Sequence, residues 1–514
     1  MSEFHDIYVY NLRGNQRTAG EQSRREGGKV FDSGSRNTVA ILLLVKRPGT
    51  VTSCALHYRD IGDYLDRKAK LAIVDAGSVA DVPWEAINPS VAGDWINHRN
   101  AGFEVFASLS AKAGDKTGIF GTHSRGLATA RDAWIYNSSR PTLGLNLEAM
   151  VTFYNDEVRR YANEANGCSV DGFINVDPRK FSWNRADKTQ LKNGVLHAIG
   201  DDGYRQSSYR PFQKQNVHFS RQLNDMIYQL GTIYPSSETH NIGFYISGSG
   251  STKPFSCLMT DLIPDVNLYG SEGGQFFPRY TYSATARGTL FAAMAEGDDN
   301  TLQQVDNVTD AALSDYRSTY GPEVSKDDIF HYVYGLLHSP EYRTTFEADL
   351  KKMLPRIPQV PGAERFQAFV EAGKALSDLH IGYESSAPYP LTEVTTGLAV
   401  EKDDFAFYEV TKMKYAGKAG AWDKTRIIYN SHLTLEGIPA EAQQYMLGSR
   451  SAVDWILERY QVKTDKASGI VNDPNDWSRE HGLPRYIIDL IGRIVALSLE
   501  TNRIVDSLPE LELD

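Results

Sequence analysis

Residues Thr38 to Val45 read TVAILLLV, apolar or β-branched without interruption. That is the pattern of a strand covered on both faces in a largely parallel α/β sheet. Upstream there is room for only one more strand, DIYVYNL from Asp6 to Leu12. Two strands with no crossover helix between them do not make a doubly wound domain. Either the rest of the sheet lies further along the chain, or the polypeptide is the tail of something longer. The intervening Arg13 to Lys29 is rich in Gly and Arg and lacks hydrophobic period, which predicts a long loop: a solvated surface loop, or a flap that orders on a polyanion. After Pro48 the stretch CALHYRDIGDYLDRKAKLAIV begins with strand-like alternation and passes into a helix, placing a domain transition between residues 48 and 100.

From about 100 to 300 the chain is Gly- and aromatic-rich, with short strand candidates NIGFYISG and DGFINVD among many turn signals, an α+β pattern. Beyond 300 helical spacing dominates. Ser325 to Asp328 has the form of a capping box ahead of Ile329, Phe330, Val333, Leu336 and Leu337. Ser339 and Pro340 then suit an N-cap with proline in the first turn, opening a helix through Phe346 and Leu350 that Pro355 ends, so a helical hairpin is expected. Near the C-terminus Ile487, Leu490, Ile491, Ile494 and Val495 share one face of a docked helix.

At 514 residues and 41% hydrophobic content the chain has material for two to four domains. A net charge of −11 argues against a generally basic nucleic-acid coat, so charge has to be read regionally. Cys54, Cys168 and Cys257 are far apart and form no CxxC pair, which indicates neither a zinc cluster nor a disulfide framework and suits a reducing cytoplasm. No metal site is expected. The first residues lack the pattern of a signal peptide, and no apolar run approaches the length of a membrane span.

There is no HExxH, P-loop, GxSxG elbow or GxGxxG after a strand. The single histidines in LHSPEY and DLHIGYE sit beside helical apolar faces and read as structural. The carboxylates of DPNDW and DGFINVDP suit turns and caps. Basic clusters carry more information. Tyr408 to Asn430 predicts a hairpin with a Gly-rich turn, on which Lys412, Lys414, Lys418, Lys424 and Arg426 face one acid, Asp423. It is either a ribbon lying along a phosphate backbone or an edge guarded by lysines. YRQSSYRPFQKQNVHFSRQ brings Arg205, Arg210, Lys214 and Arg221 among Tyr204, Tyr209 and Phe212, the mixture of cations and aromatics found on nucleic-acid surfaces and also in cation–π satellites of a core. Lys351, Lys352 and Arg356 gather at a helix C-terminus, where the dipole favours cations.

Taken together, VFDSGSRNTVAILLLVKR, RGLATARDAWIYN, YRPFQKQNVHFS, IFHYVYGLLHSPEYRTTFEADLKKMLPRIP and SGIVNDPNDW resemble the C-terminal part of type ISP restriction-modification enzymes. These are single-chain proteins joining nuclease, helicase-like ATPase, methyltransferase and target-recognition parts. The resemblance implies a mixed α/β and α+β fold. Residues 1–60 would be the last strands of a partial Rossmann-like adenine methyltransferase sheet and 61–300 an α+β target-recognition region. Residues 301–514 would be its mostly helical part, with the basic hairpin at 405–435. In that family the S-adenosylmethionine loop and the catalytic tetrapeptide precede these strands; neither is found here, and SPEY, with Glu341 and a helical setting, does not replace the tetrapeptide. The chain is thus expected to recognise double-stranded DNA, to need an upstream helicase, nuclease and methyltransferase portion, and to be inactive alone. It would hold no cofactor itself, the intact enzyme using S-adenosylmethionine with ATP and Mg. Phe31, just before the apolar strand, would stack on the flipped adenine; otherwise it closes a loop as a core side chain. A stand-alone enzyme with an unrecognised active site and a protein-interaction scaffold are the rival readings.

Overall fold

The apolar run near the amino end does form a strand, Ala40–Val45, but it lies at the edge of its sheet. The computed structural model describes residues 3–16, 20–31, 35–49, 53–110, 118–165, 167–270, 272–284, 302–396, 404–418 and 420–513. Asp6–Asn11 pairs antiparallel with Ala40–Val45 and parallel with Ala55–Asp60, and Glu85–Ile87 closes the far side. The sheet therefore draws strands from beyond residue 60. Instead of being covered on both faces, the edge strand exposes Ile41, Leu42, Leu43 and Leu44, with Leu42 57% exposed. Its outer edge has no strand partner among the described residues.

A small core of Tyr10, Leu12, Val30 and Ile61 sits under this sheet, with Val74 and Trp84 packed against it. The loop expected at Arg13 to Lys29 contains a helix, Gly20–Glu26, while its residues 17–19 lie outside the described residues. Lys70, from the Asp66-capped helix Arg67–Asp75, is fully buried and donates to the carbonyls of Glu26 (2.7 Å) and Gly28 (2.9 Å). The charge is tolerated because those carbonyls end the helix and are its partners.

The remainder packs around two cores. In one, the antiparallel strands Cys257–Thr260, Gly243–Ser247 and Gly274–Pro278 lay Phe244, Ile246, Met259 and Phe277 on two helices, Lys326–Leu336 and Ala363–Ile381. Ser325 and Asp328 make the reciprocal capping box that the sequence predicts. The partner of that helix is Ala363–Ile381, however, and the segment after Ser339 breaks at Phe346 into Pro340–Thr345 and Glu347–Leu350. A Cβ on Gly373 would stand 1.9 Å from the His331 carbonyl, and one on Gly335 2.3 Å from that of Phe369, so the two backbones touch where side chains are missing. DGFINVD forms no strand: its first three residues belong to a single helical turn, Val170–Phe173, which Ser169 closes by accepting from Gly172 N, and the rest is irregular.

The other core joins the helices Arg140–Glu164, Ala452–Arg459 and Tyr486–Asp506 to two sheets. One is built on the ribbon Tyr204–Arg210 and Gln213–His218, the other on the hairpin Lys414–Lys418 and Ala421–Ile428 with Leu433–Glu436 and Thr392–Thr395. Ile487, Leu490, Ile491, Ile494 and Val495 are buried on one face of the final helix, as their spacing predicts. The histidines of LHSPEY and DLHIGYE are interior: His380 bridges the Tyr334 hydroxyl (2.6 Å) and Thr501 (3.0 Å), and His338 meets the Tyr334 carbonyl (2.8 Å). No helix among the described residues is long and apolar enough to cross a membrane.

Candidate nucleic-acid interface

The ribbon's turn forces Phe212 to a φ of 55°, and the register shifts between Ser208 and Arg210. Beyond it, alternation sends Gln213 and Gln215 to one side and Lys214 to the other. Lys214 pairs with Glu384 (2.7 Å) and lies over the Tyr383 ring. Arg210 is buried against Asp265 (2.7 Å) and stacks over Tyr209. Burial is the largest single effect and opposes its charge, but Asp265 together with Tyr209, Asp132 and Tyr136 holds the guanidinium above its ordinary value. The Arg205 guanidinium is buried too, held by Asp202 (3.0 Å). Of the ribbon's four candidate cations, only Arg221 is exposed with no carboxylate partner among the described residues. The others do the structural work of ion pairs.

The hairpin forms, with Lys418 opposite Ala421 at its end; residue 419 lies outside the described residues. Lys412, Lys414 and Lys418 are exposed, and no carboxylate pairs with them among the described residues. Acids supplied from elsewhere in the fold occupy the other two cations. Lys424 pairs with Asp454 (3.1 Å) and Arg426 with Glu436 (2.7 Å). Trp422, opposite Gly417 at the tip, is 45% exposed beside these free lysines, an aromatic face that sequence reasoning passed over.

A cleft of about 470 Å³ opens on the glutamine side of the ribbon, lined by Tyr209, Gln213, Gln215, Arg459, Lys463 and Asn472 among others. The two walls are 246 residues apart in sequence where Gln213 Nε2 donates to the Arg459 carbonyl (3.3 Å). Asn472 Nδ2 donates to Gln215 Oε1 (3.2 Å) and the Tyr460 hydroxyl to the Phe212 carbonyl (3.3 Å). Val462 N–H donates to the Thr411 carbonyl (3.0 Å), which brings the hairpin's lead-in and Lys412 beside the same wall. Ribbon and hairpin thus meet at one place, but through the ribbon's amides and not its cations.

Trp455 is fully buried between Arg450 and Arg459, whose guanidinium carbons lie 4.9 and 5.3 Å from the ring centroid. Glu458 pairs with both arginines. Desolvation first, then Arg210, lowers Arg459; desolvation and then Arg459 lower Lys463. The cleft carboxylates are already served: Asp132 accepts from Thr129 and Tyr209, and Asp465 from Ser468. Arg459 Nε and Gln213 Oε1 are buried without a partner among the described residues, and Gln213 is only 5% exposed. One cationic donor and one amide acceptor are left without a partner at the cleft, a set whose chemistry suits phosphate oxygens and base edges.

Phe31 stands apart from the cleft. It is 55% exposed, next to buried Val30, whose carbonyl accepts from Arg67 Nε (3.0 Å).

The family model described as the Type ISP C-terminal specificity domain matches residues 118–490. A nuclease-deletion mutant of the Type ISP restriction-modification enzyme LlaGI, in complex with a DNA substrate mimic, superposes with a TM-score of 0.83 at 35% identity, covering 99% of this chain and 44% of LlaGI. The ATP-dependent Type ISP enzyme LlaBIII bound to DNA gives 0.84 at 32% identity over 100% of this chain and 31% of LlaBIII. A DrdV–DNA complex gives 0.83 at 28% identity over 99% of this chain and 48% of DrdV. No curated protein matches. The chain spans less than half the length of each of these solved proteins. On the family model and on its likeness to LlaGI and LlaBIII across almost every residue, the chain belongs to the Type ISP restriction-modification family and carries that family's C-terminal specificity domain.

Proposed function

We propose that this chain recognises a specific site on double-stranded DNA, gripping the duplex through the cleft between the Gln213–His218 strand and Arg459–Lys463 and through the lysines of the 414–428 hairpin. The observation that carries this reading is the whole-chain likeness to Type ISP enzymes whose structures hold DNA or a DNA mimic. Supporting it, the cleft leaves a cationic donor, Arg459 Nε, and an amide acceptor, Gln213 Oε1, unspent inside a chain of net charge −11. Phosphate contacts supply affinity and register, while amides such as those of Gln213 and Gln215 suit base edges.

Within a larger cytoplasmic restriction-modification enzyme, this region would position adenine for N6 methylation and report site status to the helicase and nuclease. The four-stranded sheet would be the end of the methyltransferase's Rossmann-like sheet. The exposed aliphatic side chains and free outer edge of Ala40–Val45 support that reading, since such a strand is at home between neighbours. Phe31 would stack on the extruded base. S-adenosylmethionine and ATP with Mg would be bound by the other parts; no methyl-transfer step is assigned to the residues of this chain.

Site selection from a randomised duplex pool, followed by fluorescence anisotropy, tests the reading. One preferred sequence is expected, with log affinity falling steeply against log salt. Lys463→Ala should weaken preferred and random duplexes alike and flatten the salt slope by about 0.9. Equal and weak binding of every duplex by the unaltered chain would sink the proposal.

A further inference from the structure

Arg343 lies in the helix Pro340–Thr345 with Nε donating to the Leu337 carbonyl (2.6 Å) and its guanidinium 5.7 Å from the Phe255 ring centroid. No carboxylate pairs with it among the described residues. Desolvation lowers it from its ordinary value, opposed only by the Cys257 thiol and the phenols of Tyr445, Tyr269 and Tyr334, none of them a carboxylate. Arg343 is half-buried, and a guanidinium partly drawn out of water with no carboxylate counter-ion gains from an anion that completes it. Arg343 lines a pocket of about 230 Å³, whose other charged walls are Lys253, Lys351 and Glu347. Glu347 is already engaged with Lys351 (2.6 Å). Lys253 is 7% exposed and donates to the Tyr269 carbonyl (3.1 Å). Burial lowers its ammonium, the Glu272 carboxylate partly offsets that, and Arg450, Arg210 and Arg459 add to the lowering. The volume is below the roughly 300 Å³ at which pockets begin to enclose drug-sized molecules, and ample for a phosphate group.

We propose that this pocket is a second anchoring point, taking one phosphate of the duplex backbone on the Arg343 guanidinium with Lys253 and Lys351 in support. The inference rests on the DNA-recognition reading above and adds a contact outside the cleft. An arginine fork presents two parallel donors to a phosphate, the geometry that a carbonyl partner alone leaves unused.

Duplex binding by the wild-type chain, Arg343→Met and Glu347→Gln, measured by anisotropy across a salt series, tests it. R343M should flatten the slope of log affinity against log salt by about 0.9 for preferred and random duplexes alike. E347Q, which removes the pocket's carboxylate, should bind every duplex more tightly, a change of sign that a folding defect cannot imitate. A wild-type slope in R343M whose circular dichroism melt is unchanged, or an E347Q that binds no tighter, overturns the assignment. Absence of any duplex binding by the wild-type chain instead overturns the recognition reading, and the pocket's role falls with it.

Discussion

Arg210→Met leaves the Asp265 carboxylate buried with no counter-ion, and a loss of roughly 3–5 kcal/mol is expected, read from the urea unfolding midpoint. Arg221→Gln, on an exposed and unpaired side chain, should leave that midpoint in place. The contrast explains why the ribbon's residues were only half legible. A run of arginines and tyrosines reads the same whether a cation meets solvent or an acid 55 residues away, as Arg210 meets Asp265. Gln213 and Arg459 carried no signal at all, since they become neighbours only when the chain folds. Trp422 could have been noticed: a tryptophan in a basic strand, across from a glycine, has little to pack against.

The pair Lys326–Leu336 and Ala363–Ile381 depends on missing side chains at its crossing. Gly373→Ala would drive a methyl into the His331 carbonyl and should cost about 1–3 kcal/mol, visible as a lower melting temperature. Elements whose signals are local were legible: the Ser325 capping box, the Ser339–Pro340 helix start and the one-faced helix at 486–506 all stand where the sequence puts them. Choice of partner was not. The sequence pointed to the next helix as the mate of Lys326–Leu336, but that segment breaks at Phe346, and Gly335 with Gly373 lets a later helix approach more closely. The short turn at Val170–Phe173 was misread for a related reason, because a single cap from Ser169 outweighs a brief strand-like pattern.

Across the whole molecule, buried neutral histidines link stability to pH. Burial, then Arg343, depresses His380 to about 3; burial, then Arg131, depresses His197 to about 4. Both lie below the ordinary 6.5, so between the folded and ordinary values the unfolded chain binds more protons, and stability rises with pH. The contribution is whole above about 6.5 and is lost progressively as pH falls toward 4 and 3. A melt at pH 5 should lie below one at pH 7, by roughly 2 kcal/mol of stability per histidine. The amino-terminal sheet carries a different consequence. Ile41, Leu42, Leu43 and Leu44 offer equal grease up and down, so a neighbour slipped by one residue would bury just as much. Alignment along that seam must be dictated by polar ends such as the Arg47–Asp6 pair, much as a zip is set by its stop and not by its teeth.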